Sequence, residues 1–145
     1  MTGRYKVGSH TKHRLLYHFT FIPKYRKQLI RGKLKLRIIE LFNECCDAND
    51  WKIHKIEVLS EHIHLLIQLN PKDSPASAMQ YLKGGSSIVL RKEFASEIRA
   101  FLWGDSFWAD GYFVESIGEK NEEIIRAYLD KQQTKHSRPR IHHRA

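Results

Sequence analysis

Apolar and polar positions alternate most regularly between Ile56 and Leu69. Ile63, Leu65, Ile67 and Leu69 fall two apart, which is the spacing of a strand with one buried face. His62 and His64 take intervening positions, so the same alternation puts both on the opposite face. A second strand is expected from Leu15 to Ile22, stopped by Pro23. After a basic loop from Lys24 to Gly32, Leu34, Ile38, Leu41, Phe42 and Cys45 recur at helical spacing. That helix is expected over about 33–49, with Asn49 and Asp50 as its stop. Trp51 to about Val58 reads as a strand, followed by the histidine strand from Leu59 to Leu69, then a turn at Pro71-Lys72-Asp73. Ser74 suits an N-cap with Pro75 at the first helical position. The helix it opens is expected to run to about Phe94, although Gly84-Gly85 weakens its middle. Glu97 to Gly111 is irregular and aromatic, and Tyr112 to Ile117 reads as a strand ended by Gly118. Asn121 caps a last helix reaching about Gln133, with Glu122 and Glu123 in its positive first turn.

Strand, helix, strand, strand, helix, strand and an extra helix is the order of an α+β, ferredoxin-like split βαβ sandwich. It predicts an antiparallel sheet with helices on one face. The apolar side of the histidine strand would meet those helices. The histidine side would look outward, where the extra helix or a partner chain could cover it. The 145 residues are enough for one domain with a core. Residues 1–14 read as a basic arm and residues 134–145 as a loose basic tail.

Composition adds a partner class. A hydrophobic fraction of 41% with 28% charged residues is that of a soluble globular protein. No apolar run approaches the roughly 20 residues of a bilayer span. No apolar signal core follows the N-terminus, so a cytoplasmic protein without a membrane role is expected. The two cysteines, Cys45 and Cys46, are neighbours on a helix and poorly placed to bridge. Cys45 falls on the apolar stripe and is expected to be a buried thiol. The net charge is +9, gathered in three segments that contain no acid: Arg4 to Arg14, Lys24 to Arg37, and Lys131 to the C-terminus. Together they hold sixteen of the 25 basic residues. Interleaved with Tyr5, Tyr17 and Tyr25, such blocks suit a phosphate backbone through counterion release. A solvated basic surface is the plainer alternative. Arg4, Lys6, Lys12, Arg14, Lys24, Arg26, Lys27 and, on the second helix, Lys83 are the candidate DNA contacts.

The histidine pair supplies candidate chemistry. Two adjacent imidazoles on one strand face could hold one metal ion, or be half-exposed and bonded to a carboxylate such as Glu61. They are too few for a closed structural zinc site and would leave positions open for water and phosphate. On the last helix Tyr128 and Gln132 lie four apart and share a face. Tyr128 is either a packing residue or a nucleophile. The Gln132 amide oxygen could complete a site suited to Mn²⁺ at least as well as Mg²⁺. A free phenol titrates near 10, so it attacks at neutral pH only where a cation favours phenolate. Attack on a phosphodiester would leave a phosphotyrosine and conserve the bond energy for rejoining. Trp103, Phe107 and Trp108 could stack on bases, though core packing is the commoner fate of large aromatics.

These residues, in this order, resemble the HUH (His-hydrophobic-His) single-tyrosine transposases of bacterial and archaeal insertion sequences. The resemblance runs through Tyr17-His18 and Pro23-Lys24-Tyr25-Arg26, then Glu61-His62-Ile63-His64-Leu65-Leu66. It continues through Leu82-Lys83-Gly84 with Ser86-Ser87, Trp108, Tyr112-Phe113-Val114 and Gly118, and ends at Tyr128-Leu129 with Gln132. Glu61 departs from the Asp or Asn common before the first histidine. The resemblance implies Tyr128 as nucleophile, forming a 5′-phosphotyrosine and freeing a 3′-OH on single-stranded DNA. It implies His62, His64 and Gln132 as ligands of Mg²⁺ or Mn²⁺. It further implies recognition of imperfect hairpins at element ends, and a homodimer whose active sites are shared between subunits. Two rival readings are a domesticated relative that processes palindromic repeats, and a non-catalytic ferredoxin-like nucleic-acid-binding module. Binding modules of that kind usually carry exposed aromatics on central strands, where this chain has histidines.

Overall fold

The structure, a computed structural model, describes residues 6–7, 12–13, 15–24, 29–98, 106–111, 113–118 and 127. The last helix with Tyr128 and Gln132, the residue Trp103 and the basic tail lie outside the described residues.

Lys6–Val7 (β1) and Lys12–His13 (β2) pair antiparallel, so part of the segment expected as an arm forms a small two-stranded ribbon. The main sheet follows. Leu15–Phe21 (β3), Lys52–Leu59 (β4), His62–Leu69 (β5) and Phe113–Ile117 (β6) lie in the order β4-β5-β3-β6, all pairs antiparallel. Gly32–Ala48 (α1) joins β3 to β4, and Pro75–Glu93 (α2) leads from β5 toward β6. A short helix, Ala95–Ile98 (α3), follows α2 in the stretch expected to be irregular. This is the split βαβ arrangement anticipated from the element order.

Period-two alternation decides which face is which. Phe19 and Phe21 of β3 and Ile63, Leu65, Ile67 and Leu69 of β5 are buried with Leu34, Ile38, Phe42 and Cys46 of α1 and Ala78, Met79, Leu82 and Leu90 of α2. The buried stripe of α1 steps by four, ending on Cys46. Cys45, expected to be the buried thiol, sits at the edge of the stripe and is half-buried. Cys46 takes the core position instead, where burial pushes its thiol up to about 12.

The helix ends follow their sequences. The amide of Asp50, at φ 59°, donates to the Asp47 carbonyl, and Trp51 N–H donates to the Cys46 carbonyl. These are the two bonds of a Schellman close. The Ser74 hydroxyl accepts from the Ser77 amide at 3.0 Å, with Pro75 at the first turn. Helix α2 runs unbroken through Gly84-Gly85.

The loop before β6 completes the core. Phe107 and Trp108 are fully buried. Trp108 packs against Phe21 and Phe42, and its indole donates to the Ser86 hydroxyl at 2.8 Å. The Ser87 hydroxyl accepts from the Phe107 amide at 2.8 Å. Pro23 bridges to Trp108 beside β3, which fastens this loop to the sheet. Both aromatics are therefore core residues, not stacking platforms.

Candidate active site

β5 carries His62 and His64 on the face opposite the helices, as its alternation requires. A tight turn at Ser60-Glu61 pairs Leu59 with His62 and so sets Glu57 directly opposite His64. On the other side of β5, register places Thr20 opposite His64 and His18 opposite Leu66. Three histidines thereby meet on the central strands. The His62 and His64 rings lie edge to face with centroids 4.8 Å apart. The His18 and His64 rings stack at 5.0 Å, 18° from parallel.

The contacts are specific. His18 Nε2 and His64 Nδ1 share a hydrogen bond at 3.0 Å, and Thr20 Oγ1 lies 3.4 Å from the same His64 nitrogen. Phe113 of β6 meets the His18 ring edge-on. His18 and His62 are buried, and His64 is partly buried. Burial lowers His18 to about 4. It lowers His64 to about 3, with the neighbouring His18 and His62 adding to the effect. Both rings are neutral at pH 7, which is the form that binds metal.

More polar groups line the same face. A bulge between Ile53 and Lys55 turns His54 toward Gln68, whose amide oxygen lies 2.7 Å from His54 Nε2. Gln68 Nε2 and His18 Nδ1 are buried with no hydrogen-bond partner among the described residues. Leu16, Leu66 and Ile117 form a small apolar cluster beside them.

The donor set fits a divalent cation in part. His62 and His64 are adjacent imidazoles, and His64 is neutral. His64 already has Nδ1 engaged, which leaves Nε2 as its metal-binding nitrogen. A ligating histidine characteristically holds its other nitrogen in this way. Among the described residues, no group of three or more His, Cys, Asp or Glu is close enough to hold a metal. The third donor expected from the sequence is Gln132, outside the described residues, as is Tyr128.

The candidate DNA contacts are dispersed. Arg4, Arg14, Arg26 and Lys27 lie outside the described residues, while Lys6 and Lys12 fall on the β1-β2 ribbon. The Lys24 amide donates to the Phe107 carbonyl at the end of β3. Because Phe21 pairs with Ile63, that is also the end where His62 opens β5. The basic loop returns to the same end, where Ile30 N–H donates to the Ser60 carbonyl at 2.9 Å. Lys83 is half-buried, and its ammonium donates to the Ala109 and Gly111 carbonyls, both at 2.7 Å. Burial lowers its pKa, opposed by Asp110. Arg37, the last charge of the second basic block, forks onto Glu93 at 2.8 and 3.1 Å and ties α1 to α2.

Sequence reasoning gave no role to His18, Glu57, His54 or Gln68. The signal that bears on His18 is its alternation with Thr20 on β3, which gains meaning only from the pairing of β3 with β5.

An antiparallel four-stranded sheet with a histidine pair on the face away from the helices defines an α+β fold of the HUH kind. The family model described as "Transposase IS200 like" matches residues 11–132. The chain belongs to the IS200-like transposase family. It is 34% identical over 130 residues to the transposase for insertion sequence element IS200 of Salmonella typhimurium, covering 90% of this chain and 84% of that one. It is 26% identical over 132 residues to the ISDra2 transposase TnpA of Deinococcus radiodurans, covering 90% and 92%. Two solved structures share the fold. One is a Deinococcus radiodurans protein assigned as a transposase, with TM-score 0.71 and 24% identity over 88% of this chain and 97% of that one. The other is a REP-associated tyrosine transposase bound to a REP hairpin, with TM-score 0.61 and 16% identity over 90% and 74%. No helix among the described residues is long and apolar enough to cross a membrane.

Proposed function

We propose that this protein cuts and rejoins single-stranded DNA at hairpin-marked ends of an insertion element, with Tyr128 as nucleophile. The observation that carries the reading is the His62 and His64 imidazoles paired on one sheet face, in a chain of the IS200-like transposase family. The greater likeness to an insertion-sequence transposase than to the REP-associated one supports an element-moving role over repeat processing.

The chemistry follows from the residues. His62, His64 and Gln132 would hold Mg²⁺ or Mn²⁺. A bound divalent cation would polarise the scissile phosphate and favour phenolate over phenol. The Tyr128 oxygen attacks phosphorus and forms a Tyr–O–P bond to the 5′ side. The P–O3′ bond breaks, and the leaving oxygen ends as a 3′-OH, taking up a proton equivalent to the one the phenol gives up. A 3′-OH reverses the step on another strand end with no external energy source. Lys24 and Ile30, described residues of the basic loop, lie at the His62 end of the sheet, which suits the loop to the phosphates flanking the scissile bond. The protein acts as a homodimer in which the tyrosine of one subunit serves the histidines of the other.

Incubation with hairpin-bearing single-stranded DNA and Mn²⁺ should give a protein–DNA adduct that survives denaturation. Tyr128→Phe should abolish the adduct and leave hairpin binding intact, and His62→Ala should do the same. No adduct from the native protein with either cation, or an adduct that persists in Tyr128→Phe, would refute the assignment. Mixing the two inactive variants tests the shared site. Exchange between subunits should restore part of the adduct, whereas sites built within one chain would stay dead.

A further inference from the structure

We infer that His18 is a positioning residue for the metal site: it accepts the Nδ1–H of His64 and so holds the His64 ring with Nε2 turned to the cation. The inference rests on the metal-site reading above and adds a residue to it.

The geometry sets the terms. Only one proton lies between His18 Nε2 and His64 Nδ1, which are 3.0 Å apart. If His18 donates it, His64 carries its own proton on Nε2 and cannot ligate through that nitrogen. If His64 donates it, Nε2 presents a lone pair. A cation at His64 Nε2 therefore requires His18 as acceptor, with the His18 proton on Nδ1. The two rings lie 18° from parallel with centroids 5.0 Å apart. Thr20 Oγ1, at 3.4 Å from the same nitrogen, is a second and weaker acceptor. His18 itself stays put because β3 is pinned on both sides, opposite Leu66 on β5 and Glu115 on β6, with Phe113 against the ring. The His62 ring meets His64 edge-on.

The test measures Mn²⁺ affinity directly, by electron paramagnetic resonance of free Mn²⁺, on purified protein without DNA. His18→Phe keeps an aromatic ring and removes the acceptor, and Mn²⁺ affinity should fall by about 10- to 100-fold. His18→Gln can place an amide oxygen near the lost Nε2 and should recover most of that loss. A merely structural ring would predict the opposite order, with Phe better tolerated than Gln. Circular dichroism and thermal melts establish that both variants are folded. In a His64→Ala background, His18→Phe should cause no further loss, because the bond it serves is gone. If His64→Ala abolishes binding but His18→Phe leaves it unchanged, or if Gln fails to rescue a folded protein, His18 has no such role and the metal site stands without it. If native binding is indifferent to His64→Ala, the metal site itself is wrong and the role of His18 falls with it.

Discussion

His18 and His64 are stacked in a place where water is scarce, and both are held neutral for that reason. An unfolded His18 titrates near 6.5, whereas the folded one is lowered to about 4. The unfolded chain therefore binds protons first as pH falls, and stability drains away between those values. For His18 alone the loss is on the order of 3 kcal/mol in metal-free protein. Urea midpoints at pH 7.5, 6 and 4.5 should fall progressively, and His18→Gln should flatten the decline; an unchanged slope in that variant would place the acid sensitivity elsewhere. How legible these residues were depended on how local their signals are. His62 and His64 declare a common face within three positions of sequence. His18 joins them only once β3 is paired with β5 in register, which no local pattern specifies. Cys45 and Cys46 show the same limit at smaller scale, since a one-residue difference in helix rotation decides which thiol enters the core. Lys83 reads as a surface cation in sequence, yet the loop it fastens lies 26 to 28 residues further along the chain.

Helix α2 illustrates what decides an element. Gly84-Gly85 counts against helix in its middle, but the Ser74 cap, Pro75 and a buried stripe of Ala78, Met79, Leu82, Ser86 and Leu90 outweigh two weak positions. The glycines thus remain a cost that the fold tolerates. A methyl group added at either position would meet nothing within 4 Å. Gly84→Ala and Gly85→Ala should each stabilise the protein by about 0.5–1 kcal/mol, read as a raised melting temperature. A drop in stability would mean that another surface approaches this part of the helix. The strands were readable for the opposite reason: alternation and bounding turns marked β3, β4, β5 and β6 to within a few residues. β1 and β2 escaped because two-residue strands are too short to show a period. Phe107 and Trp108 took the core role favoured for them, but their path carried no periodic trace, because bonds to Ser87 and Ser86 on α2 place them.

At the scale of the whole molecule, a net charge of +9 does not by itself say where DNA lies. The structure discriminates among the basic blocks. Arg37 is committed to Glu93 and Glu40, and Lys83 to two carbonyls, so part of the charge holds the fold together. The segment that opens at Lys24 is placed by its ends. Its chain leaves β3 at the His62 end of the sheet and returns, through Ile30 N–H on the Ser60 carbonyl, to the turn just before His62. A phosphate backbone lying across the histidines would pass this segment. Lys24, Arg26 and Lys27 should then act together, through counterion release and not through base reading. Hairpin affinity measured against salt gives the number of phosphates neutralised, at about 0.9 in slope per contact on duplex stem. Replacing all three with alanine should reduce that slope by about 2–3 and weaken hairpins of different sequence about equally. The same triple variant should lose cleavage at low DNA concentration and regain it at saturation, since positioning of the strand, not the chemistry proposed for Tyr128, is what it removes. An unchanged salt slope would move the DNA path away from the His62 end of the sheet. An altered preference among hairpins would mean that these side chains read bases.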